Sequence, residues 1–425
     1  MLRRLRHFGR AGVSARRACP GGRALAGVAL AGALAVATAA PAAAAPDDPV
    51  RDQQQWVLDM LSVPSAWSMS MGANVTVAVI DSGVNPDVSD LDGAVVTGSN
   101  FTDLSTPSSD PHWGQHGTWM ASIIAGRGNG FDDGVIGVAP DAKILSIRVI
   151  PDMNDPGYKK YDSEAESQIQ DELADGINQA VADHAQVISM SIGYSAPSGP
   201  VRAALQDAYD HGIVLVASAG NSGDNDEQHT ARSGDHGWAP VSFPAEYPGV
   251  LSVGAVNSDK QPTSFSSGNL SVKVAAPGEG VPAQGRNGLY YTVNGTSPAC
   301  ALVAGVAALI KSKYPSISPA EVTEALTTTA QQPMSGGSYN VLTGFGIVNA
   351  DAALVEAGKL AGARPAGSQV SLATHFGGGV AAIPAAPVTP RGPGPLVVFA
   401  LLAVVSLAAA GGGLMALRRR PPRHG

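Results

Sequence analysis

The segment YTVNGTSPACALVAGVAALIKSKYP, residues 291–315, joins a polar turn to a run that is apolar on every side. An apolar run of this kind predicts a helix that is buried all round rather than amphipathic. Pro298 fits the first turn of that helix, because N–H groups at a helix start have no helical acceptor. Ser297 is therefore predicted to lie at the mouth of a buried helix, with its own N–H available to donate.

Strand-like and helix-like patterns alternate along the body of the chain. Strand-like runs cover residues 74–80, 143–150, 187–193 and 213–221, and helical patterns cover residues 163–184, 200–212 and 317–326. Two of these helices start with a Ser-x-x-Glu capping pattern, Ser163 with Glu166 and Ser318 with Glu321. Strands that alternate with helices predict an α/β fold of three layers, in which a mostly parallel sheet is covered by helices on both faces.

The first 45 residues have the pattern of a secretory signal peptide. Seven arginines and no acidic residue occur in the first 23 residues, and an apolar run from Ala24 to Ala40 follows. The small residues after it favour cleavage near Ala45. An uncleaved membrane anchor is the alternative. Residues 46–73 then form a short N-terminal extension ahead of the main domain, which we assign to residues 74–357.

The C-terminal part has the pattern of a tethered membrane anchor. Residues 358–395 are rich in Ala, Gly and Pro, which predicts a linker or, alternatively, a disordered remnant. Residues 396–417 carry no charge, and about 22 residues at about 1.5 Å each suffice to cross a hydrocarbon core of about 30 Å. The arginine-rich tail, residues 418–425, is expected to stay in the cytoplasm. The sequence therefore predicts a single-pass protein of the cell membrane with an extracytoplasmic domain.

The charge balance disfavours some classes of partner. The chain has 27 basic and 35 acidic residues, a formal net charge of −8. Without the seven arginines of the predicted signal peptide and the four of the tail, 16 basic residues remain against 35 acidic ones, a charge of −19. Such a surface disfavours nucleic acid and anionic lipid as partners. A solvated acidic surface is the simplest interpretation, and a basic substrate is the alternative.

Cysteine usage excludes an internal disulfide in the exported part. Cys19 belongs to the predicted signal peptide, which leaves Cys300 without a partner. One thiol can neither form an intramolecular disulfide nor build a cysteine metal site. We expect Cys300 to be a small buried hydrophobe.

Polar residues with complementary chemistry follow the apolar runs. Asp81 comes directly after a strand-like run and Asn221 ends another, while His116 and Ser297 open helix-like runs. Ligands of parallel sheets gather at the carboxyl ends of the strands, so these four side chains are expected to converge. A serine hydroxyl becomes nucleophilic when an imidazole takes its proton, and an aspartate orients that imidazole. The Asn221 amide and the Ser297 N–H would donate to the oxyanion.

Six ordered motifs resemble the signatures of the subtilisin family of serine proteases. They are VAVIDSGV (77–84), QHGTWMASIIAG (115–126), SMSIG (189–193), ASAGNSG (217–223), SFPAEYPGVLSVGAV (242–256) and NGTSPACALVAGVAALIKSKYP (294–315). The resemblance implies the subtilisin-like fold. It also implies that Asp81, His116 and Ser297 are the catalytic triad and that Asn221 is the oxyanion residue.

The same resemblance implies a substrate cleft beside the triad. The backbone of one segment, Ser191, Ile192 and Gly193, would pair with the substrate as an added strand. A second segment would wall the primary specificity pocket, and its residues are Ala217, Ser218, Ala219 and Gly220. The expected substrate is a protein or peptide.

The order of segments along the chain resembles that of the mycosins, the membrane-bound subtilases of type VII secretion systems. This resemblance implies a membrane-anchored serine endopeptidase with membrane components of the secretion system as partners. A structural subunit that stabilises the secretion complex, with proteolysis secondary, is the alternative. Four features depart from the resemblance. Residues 46–73 are too short for the usual folding pro-domain, and the exported part lacks the disulfides common in mycosins. Trp119 stands where many relatives have a second histidine, and Pro298-Ala299-Cys300 replaces the more usual run of small residues.

This chemistry requires no cofactor, and the sequence assigns no metal site. Asp132 and Asp133, and the loop 224–236, carry oxygen ligands of the kind that calcium binds. Solvated loops are the alternative for both segments. The family resemblance also implies a cis peptide bond between Phe243 and Pro244.

Overall fold

The computed structural model describes residues 50–362, apart from 131–132, 165, 225–238 and 332–337. Its strands are β1 (Thr76–Asp81), β2 (Val95–Asn100), β3 (Lys143–Arg148), β4 (Val187–Met190), β5 (Val214–Ser218), β6 (Val250–Val256), β7 (Val272–Pro277), β8 (Val281–Gln284) and β9 (Tyr290–Val293). Strands β1 to β7 form a parallel sheet in the order β2-β3-β1-β4-β5-β6-β7. Strands β8 and β9 form an antiparallel hairpin.

Helices cover both faces of the sheet. They are α1 (Val50–Met60), α2 (Val63–Ala66), α3 (Gln115–Ala125), α4 (Tyr158–Asp162), α5 (Glu166–Ala182), α6 (Gly199–Asp210), α7 (Thr296–Lys313), α8 (Pro319–Thr328) and α9 (Ala350–Gly362). Side chains of β1 alternate between two cores: Val77 and Val79 pack with α3 and α7, while Ala78 and Ile80 pack with α5 and α6. The predicted α/β architecture of a parallel sheet between two helix layers is confirmed.

Helix α7 is the buried helix that the sequence predicts. Each residue from Thr296 to Lys311 is buried. The one charged group among them, the Lys311 ammonium, donates to three carbonyl oxygens, those of Gly212 (3.2 Å), Pro315 (3.3 Å) and Ile317 (3.0 Å). A buried cation is tolerated because these acceptors replace its water.

The two predicted capping patterns have different outcomes. Ser318 caps α8 as expected, since its hydroxyl accepts the Glu321 N–H at 3.3 Å and its own N–H donates to the Glu321 carboxylate at 2.8 Å. Ser163 instead follows the short helix α4, and its hydroxyl donates to the Lys160 carbonyl at 2.6 Å. Helix α5 begins at Glu166 and Glu164 lies in a bend outside it, so Ser163 is not next to its first turn, and the prediction that Ser163 caps this helix is wrong.

The N-terminal extension, described from Val50 onward, packs against the main domain. The Gln54 side-chain amide pairs with the main chain of Ile136 at 2.6 and 3.0 Å, and the Trp67 indole donates to the Val138 carbonyl at 2.9 Å. Leu61 is fully buried. These contacts fasten the extension to the segment that follows α3.

Several predicted segments lie outside the described residues: the signal peptide, the span 396–417 and the basic tail. In the part of the chain that the structure describes, no helix is long and apolar enough to cross a membrane. Helix α9 continues to Gly362, so the first residues of the predicted linker 358–395 are helical. The reason is that Leu360 still packs against the core.

Asp90 is a fully buried carboxylate that joins the β8–β9 hairpin to the segment after α3. It accepts the Val135 N–H at 2.6 Å and the Tyr290 hydroxyl at 3.2 Å. Burial raises the pKa of Asp90 to about 6, and the two hydrogen bonds offset only part of that rise.

The stability of the fold should therefore depend on the ionisation of Asp90. The pKa of Asp90 is higher in the folded chain than in the unfolded one, so folding favours the protonated carboxyl. This contribution to the free energy of unfolding is present at low pH and is lost as the pH rises through about 6. Between about pH 4 and about pH 7.5, the wild type should lose about 2 kcal/mol of unfolding free energy relative to Asp90→Asn. Urea unfolding of both proteins measures this difference, and a difference independent of pH would contradict the expectation.

Candidate active site

Asp81 and His116 are in direct contact at the carboxyl edge of the sheet. Asp81 ends β1, and His116 lies in the first turn of α3. The His116 Nδ1 atom is 2.8 Å from Asp81 Oδ1 and 2.9 Å from Oδ2. The carboxylate is almost fully buried, whereas 25% of the His116 side chain is exposed. A carboxylate that accepts from Nδ1–H leaves Nε2 as the basic nitrogen of the imidazole.

Gly117 allows α3 to approach β1 this closely. A Cβ atom on Gly117 would lie 2.2 Å from the Gly83 carbonyl oxygen and 3.3 Å from the Asp81 Cβ. The Gly117 N–H also donates to the Ser82 hydroxyl at 3.1 Å. Only a residue without a side chain fits here, so the glycine after His116 is a steric requirement of the Asp81–His116 contact.

A second carboxylate, Asp152, contacts the first turn of α3. Its oxygens accept the main-chain N–H groups of Gln115 at 2.7 Å and His116 at 2.9 Å. Burial raises the pKa of Asp152. Burial alone would lower the pKa of His116, but the charge and hydrogen bond of Asp81 and the charge of Asp152 outweigh it and raise that pKa. Sequence reasoning missed Asp152, although it follows the strand-like run 143–150 at the same sheet edge.

Ser297 lies on the first turn of α7, as predicted, and α7 packs against α3. Its side chain is buried, and its Oγ atom has no hydrogen-bond partner among the described residues. The structure thus contains the Asp81–His116 hydrogen bond but no hydrogen bond from His116 to Ser297. The Ser297 carbonyl accepts from the Ser191 hydroxyl at 3.3 Å.

The Asn221 amide is oriented by Thr296, the residue before Ser297. Its Oδ1 atom accepts both the N–H and the hydroxyl of Thr296, each at 2.9 Å. The opposite end of the amide, Nδ2, lies 3.1 Å from the point that a Cβ on Gly295 would occupy. The donor group of Asn221 is therefore directed towards the turn that leads into Ser297.

The predicted substrate-binding residues follow two adjacent strands. The ladder between β4 and β5 ends at the pair Met190 and Ala217. Beyond it, the segment Ser191–Gly193 and the segment 218–220 continue along the same edge of the sheet. The Gly220 N–H donates to the Thr296 hydroxyl at 3.2 Å, which ties the second segment to the start of α7. The structure brings both segments to the vicinity of Ser297.

Aromatic and basic residues of α3 and of the β8–β9 hairpin complete the surroundings of His116. The Trp119 ring meets His116 edge-on at 6.2 Å and packs on Tyr291 at 5.3 Å. The Arg286 main-chain N–H donates to the Gln115 side chain at 3.2 Å, and its guanidinium donates to the Trp113 carbonyl at 2.5 Å. Trp119, already singled out in the sequence, lies at i+3 spacing from His116 on the same side of α3. No local pattern points to Arg286.

The remaining predictions concern metals, Cys300 and one proline. No group of three or more His, Cys, Asp or Glu residues suited to a metal ion occurs within the described ranges, and Asp132 and residues 225–236 lie outside them. Cys300 is fully buried, and burial raises the pKa of its thiol to about 12. The Phe243–Pro244 bond is cis, which confirms that expectation.

The sheet is parallel and is covered by helices on both faces. At its carboxyl edge lie a hydrogen-bonded Asp–His pair and a serine on the first turn of a helix, which is the arrangement of a serine peptidase. The model of the subtilase family matches residues 72–349. Subtilisin DY from Bacillus licheniformis is 37% identical over 282 residues, which cover 66% of this chain and 91% of the relative. Subtilisin E from Bacillus subtilis (strain 168) is 37% identical over 66% of each chain. The chain belongs to the subtilase family and is a subtilisin-type serine endopeptidase.

Solved structures of mycosins are similar to this chain. MycP1 from Mycobacterium smegmatis is 31% identical with a TM-score of 0.60, over 73% of this chain and 86% of that one. A MycP1 structure without its N-terminal propeptide is 31% identical with a TM-score of 0.57, over 70% and 96%. A third, 34% identical with a TM-score of 0.59 over 73% and 90%, is described as an essential component of the type VII (ESX-1) secretion system.

Replacement of Gly117 tests the close approach of α3 to β1. We expect Gly117→Ala to lose about 1–3 kcal/mol of unfolding free energy, because the new methyl group would overlap the Gly83 carbonyl. Gly362, the last residue of α9, is exposed and has no atom within 4 Å of its would-be Cβ outside its immediate neighbours. The matched variant Gly362→Ala should therefore be neutral or stabilised by up to about 1 kcal/mol. Equal effects of the two substitutions in urea unfolding would refute this account.

Proposed function

We propose that this chain is a membrane-anchored, extracytoplasmic serine endopeptidase whose catalytic triad is Asp81, His116 and Ser297. The observation that carries the proposal is the contact of His116 Nδ1 with both carboxylate oxygens of Asp81. It is supported by Ser297 on the first turn of α7, whose hydroxyl makes no bond to any other described group. The membrane anchor in this proposal is the uncharged run 396–417.

The reaction proceeds by acyl transfer. The Nε2 atom of His116 takes the proton of the Ser297 hydroxyl while Oγ attacks the substrate carbonyl carbon. The resulting imidazolium returns this proton to the leaving amine as the peptide C–N bond breaks. His116 then takes a proton from water as the water oxygen attacks the acyl carbon. The imidazolium returns this proton to Oγ as the Oγ–acyl bond breaks, which releases the acid product and restores the Ser297 hydroxyl.

Two donors stabilise the oxyanion of each tetrahedral intermediate. One is the main-chain N–H of Ser297, at the start of α7. The other is the Nδ2 group of Asn221, whose orientation follows from the two bonds that Thr296 donates to Oδ1. Such preset donors lower the barrier because they need no rearrangement when charge develops.

The substrate is a protein or peptide in extended conformation. Its backbone adds as a strand to Ser191–Gly193, beyond the last pair of the β4–β5 ladder. The side chain before the cleaved bond enters a pocket walled by residues 217–220. This mechanism requires no cofactor and no nucleic acid.

The test of catalysis uses a fluorophosphonate, which labels a serine activated by a histidine. The wild type should be labelled and should cleave peptides, while Ser297→Ala should do neither. Asn221→Ala should lose about 10²- to 10³-fold in kcat, a magnitude known from a subtilisin that we carry over to this chain. Labelling that persists in folded Ser297→Ala would refute the assignment of the nucleophile.

The similarity to MycP1 favours a second candidate role, in which the chain stabilises a type VII secretion complex and its membrane components are partners. Complementation of a deletion strain with Ser297→Ala separates the roles. Secretion restored by this variant favours the structural role, and failure despite normal protein levels favours proteolysis as the essential activity. Wild-type complementation provides the reference.

A further inference from the structure

Helix α3 lacks a capping side chain of its own. Its N-cap residue is Gly114, which has a left-handed conformation and no side chain to accept a hydrogen bond. The first N–H groups of a helix nevertheless need acceptors. Asp152, 36 residues after His116, supplies them by accepting from the N–H groups of Gln115 and His116. A residue of a distant loop thus occupies the role of an N-cap.

The loop that carries Asp152 is fixed to the sheet. The Asp155 N–H donates to the Asp152 carbonyl at 2.9 Å, and the Asp155 carboxylate pairs with the buried Arg148 guanidinium at 2.8 Å. Arg148 lies opposite Asp81 in the ladder between β3 and β1. One pair of strands therefore sets the positions of both carboxylates that contact His116.

Asp81 and Asp152 contact different parts of the same residue. Asp81 contacts the imidazole, and Asp152 contacts the main chain. If the start of α3 shifted along or around its axis, the imidazole would move away from Asp81. The Asp152 bonds oppose that shift with two charge-assisted contacts.

We propose that Asp152 is a positioning residue of the peptidase, which holds the main chain of His116 in place and adds a second negative charge beside its imidazole. The inference rests on the proposed function, since it assigns His116 as the base. In this role Asp152 does not contact the substrate. It acts through His116.

The charged and titratable groups around this pair are few in the part of the chain that the structure describes. His116 faces Asp81 and Asp152, and Tyr291 lies behind Trp119. Asp152 faces His116, Asp81 and, from the hairpin, Arg286. Because Asp152 contributes to the raised pKa of His116, removal of its charge should lower that pKa.

The test compares full-length wild type with Asp152→Asn and Asp152→Ala in detergent. Asp87→Asn is the matched control, because the exposed Asp87 also acts on Arg286 without a bond to α3. The first readout is the rate of fluorophosphonate labelling as a function of pH. The second is the NMR titration of isotope-labelled His116 in a Ser297→Ala background, which needs no activity.

Both Asp152 variants should shift the His116 titration, and the acid limb of the labelling profile, to lower pH. At pH values above this titration, the labelling rate should fall about 10-fold in Asp152→Asn. It should fall about 100-fold in Asp152→Ala, which loses both oxygen acceptors of the α3 N–H groups. Asp87→Asn should leave both readouts close to those of the wild type. A rate loss without any titration shift would be the signature of a merely structural residue and would overturn the proposal.

The two proposals fail in different ways. A wild type that does not react with the fluorophosphonate would count against the proposed function. The His116 titration would still decide whether Asp152 acts on the imidazole. An unshifted titration in folded Asp152→Asn, next to normal wild-type labelling, would overturn the role of Asp152 alone.

Discussion

The site depends on the close approach of the first turn of α3 to the turn after β1, where Gly117 lies against the Gly83 carbonyl. Apolar burial is what brings the helix there. Met120, Ile123 and Ile124 are almost fully buried, and each contributes about 1.5–3 kcal/mol. One hydrogen bond to a charged group contributes about 1.5–3 kcal/mol. The core therefore sets the location of α3, and the carboxylates set its orientation.

Parallel strand topology explains how residues distant in sequence meet. Strands β1, β4 and β5 are neighbours in the sheet and run in the same direction, so the segments after them emerge at one edge. Helices α3 and α7 begin at that edge, and the N-terminus of a helix carries a partial positive charge. At α3 this charge is met by Asp152. At α7 it is available to the oxyanion of the proposed reaction.

Much of the fold follows from local patterns, whereas parts of the site do not. Hydrophobic runs predict the parallel sheet and the buried helix α7, and the Ser318 cap is a local motif. The contacts of Asp152 with α3 and of Gln54 with Ile136 join segments far apart in the chain, and such bonds leave no periodic signal. Ser163 shows the limit of a local motif, since one hydroxyl can bond to the turn before it or to the helix after it.

The buried carboxylates differ in how their charge is stabilised, and this difference decides what they can do. Burial alone would raise the pKa of Asp155, but the bonds from Arg148, Thr106 and Gly157 lower it. The opposite charges of Arg148 and Asp155 largely offset each other, so Asp155 fastens the loop but has little electrostatic effect on the pKa values of its neighbours. Asp152 is held mainly by helix N–H groups, which carry only partial charge. The negative charge of Asp152 therefore acts on His116, whereas the charge of Asp155 is compensated by Arg148.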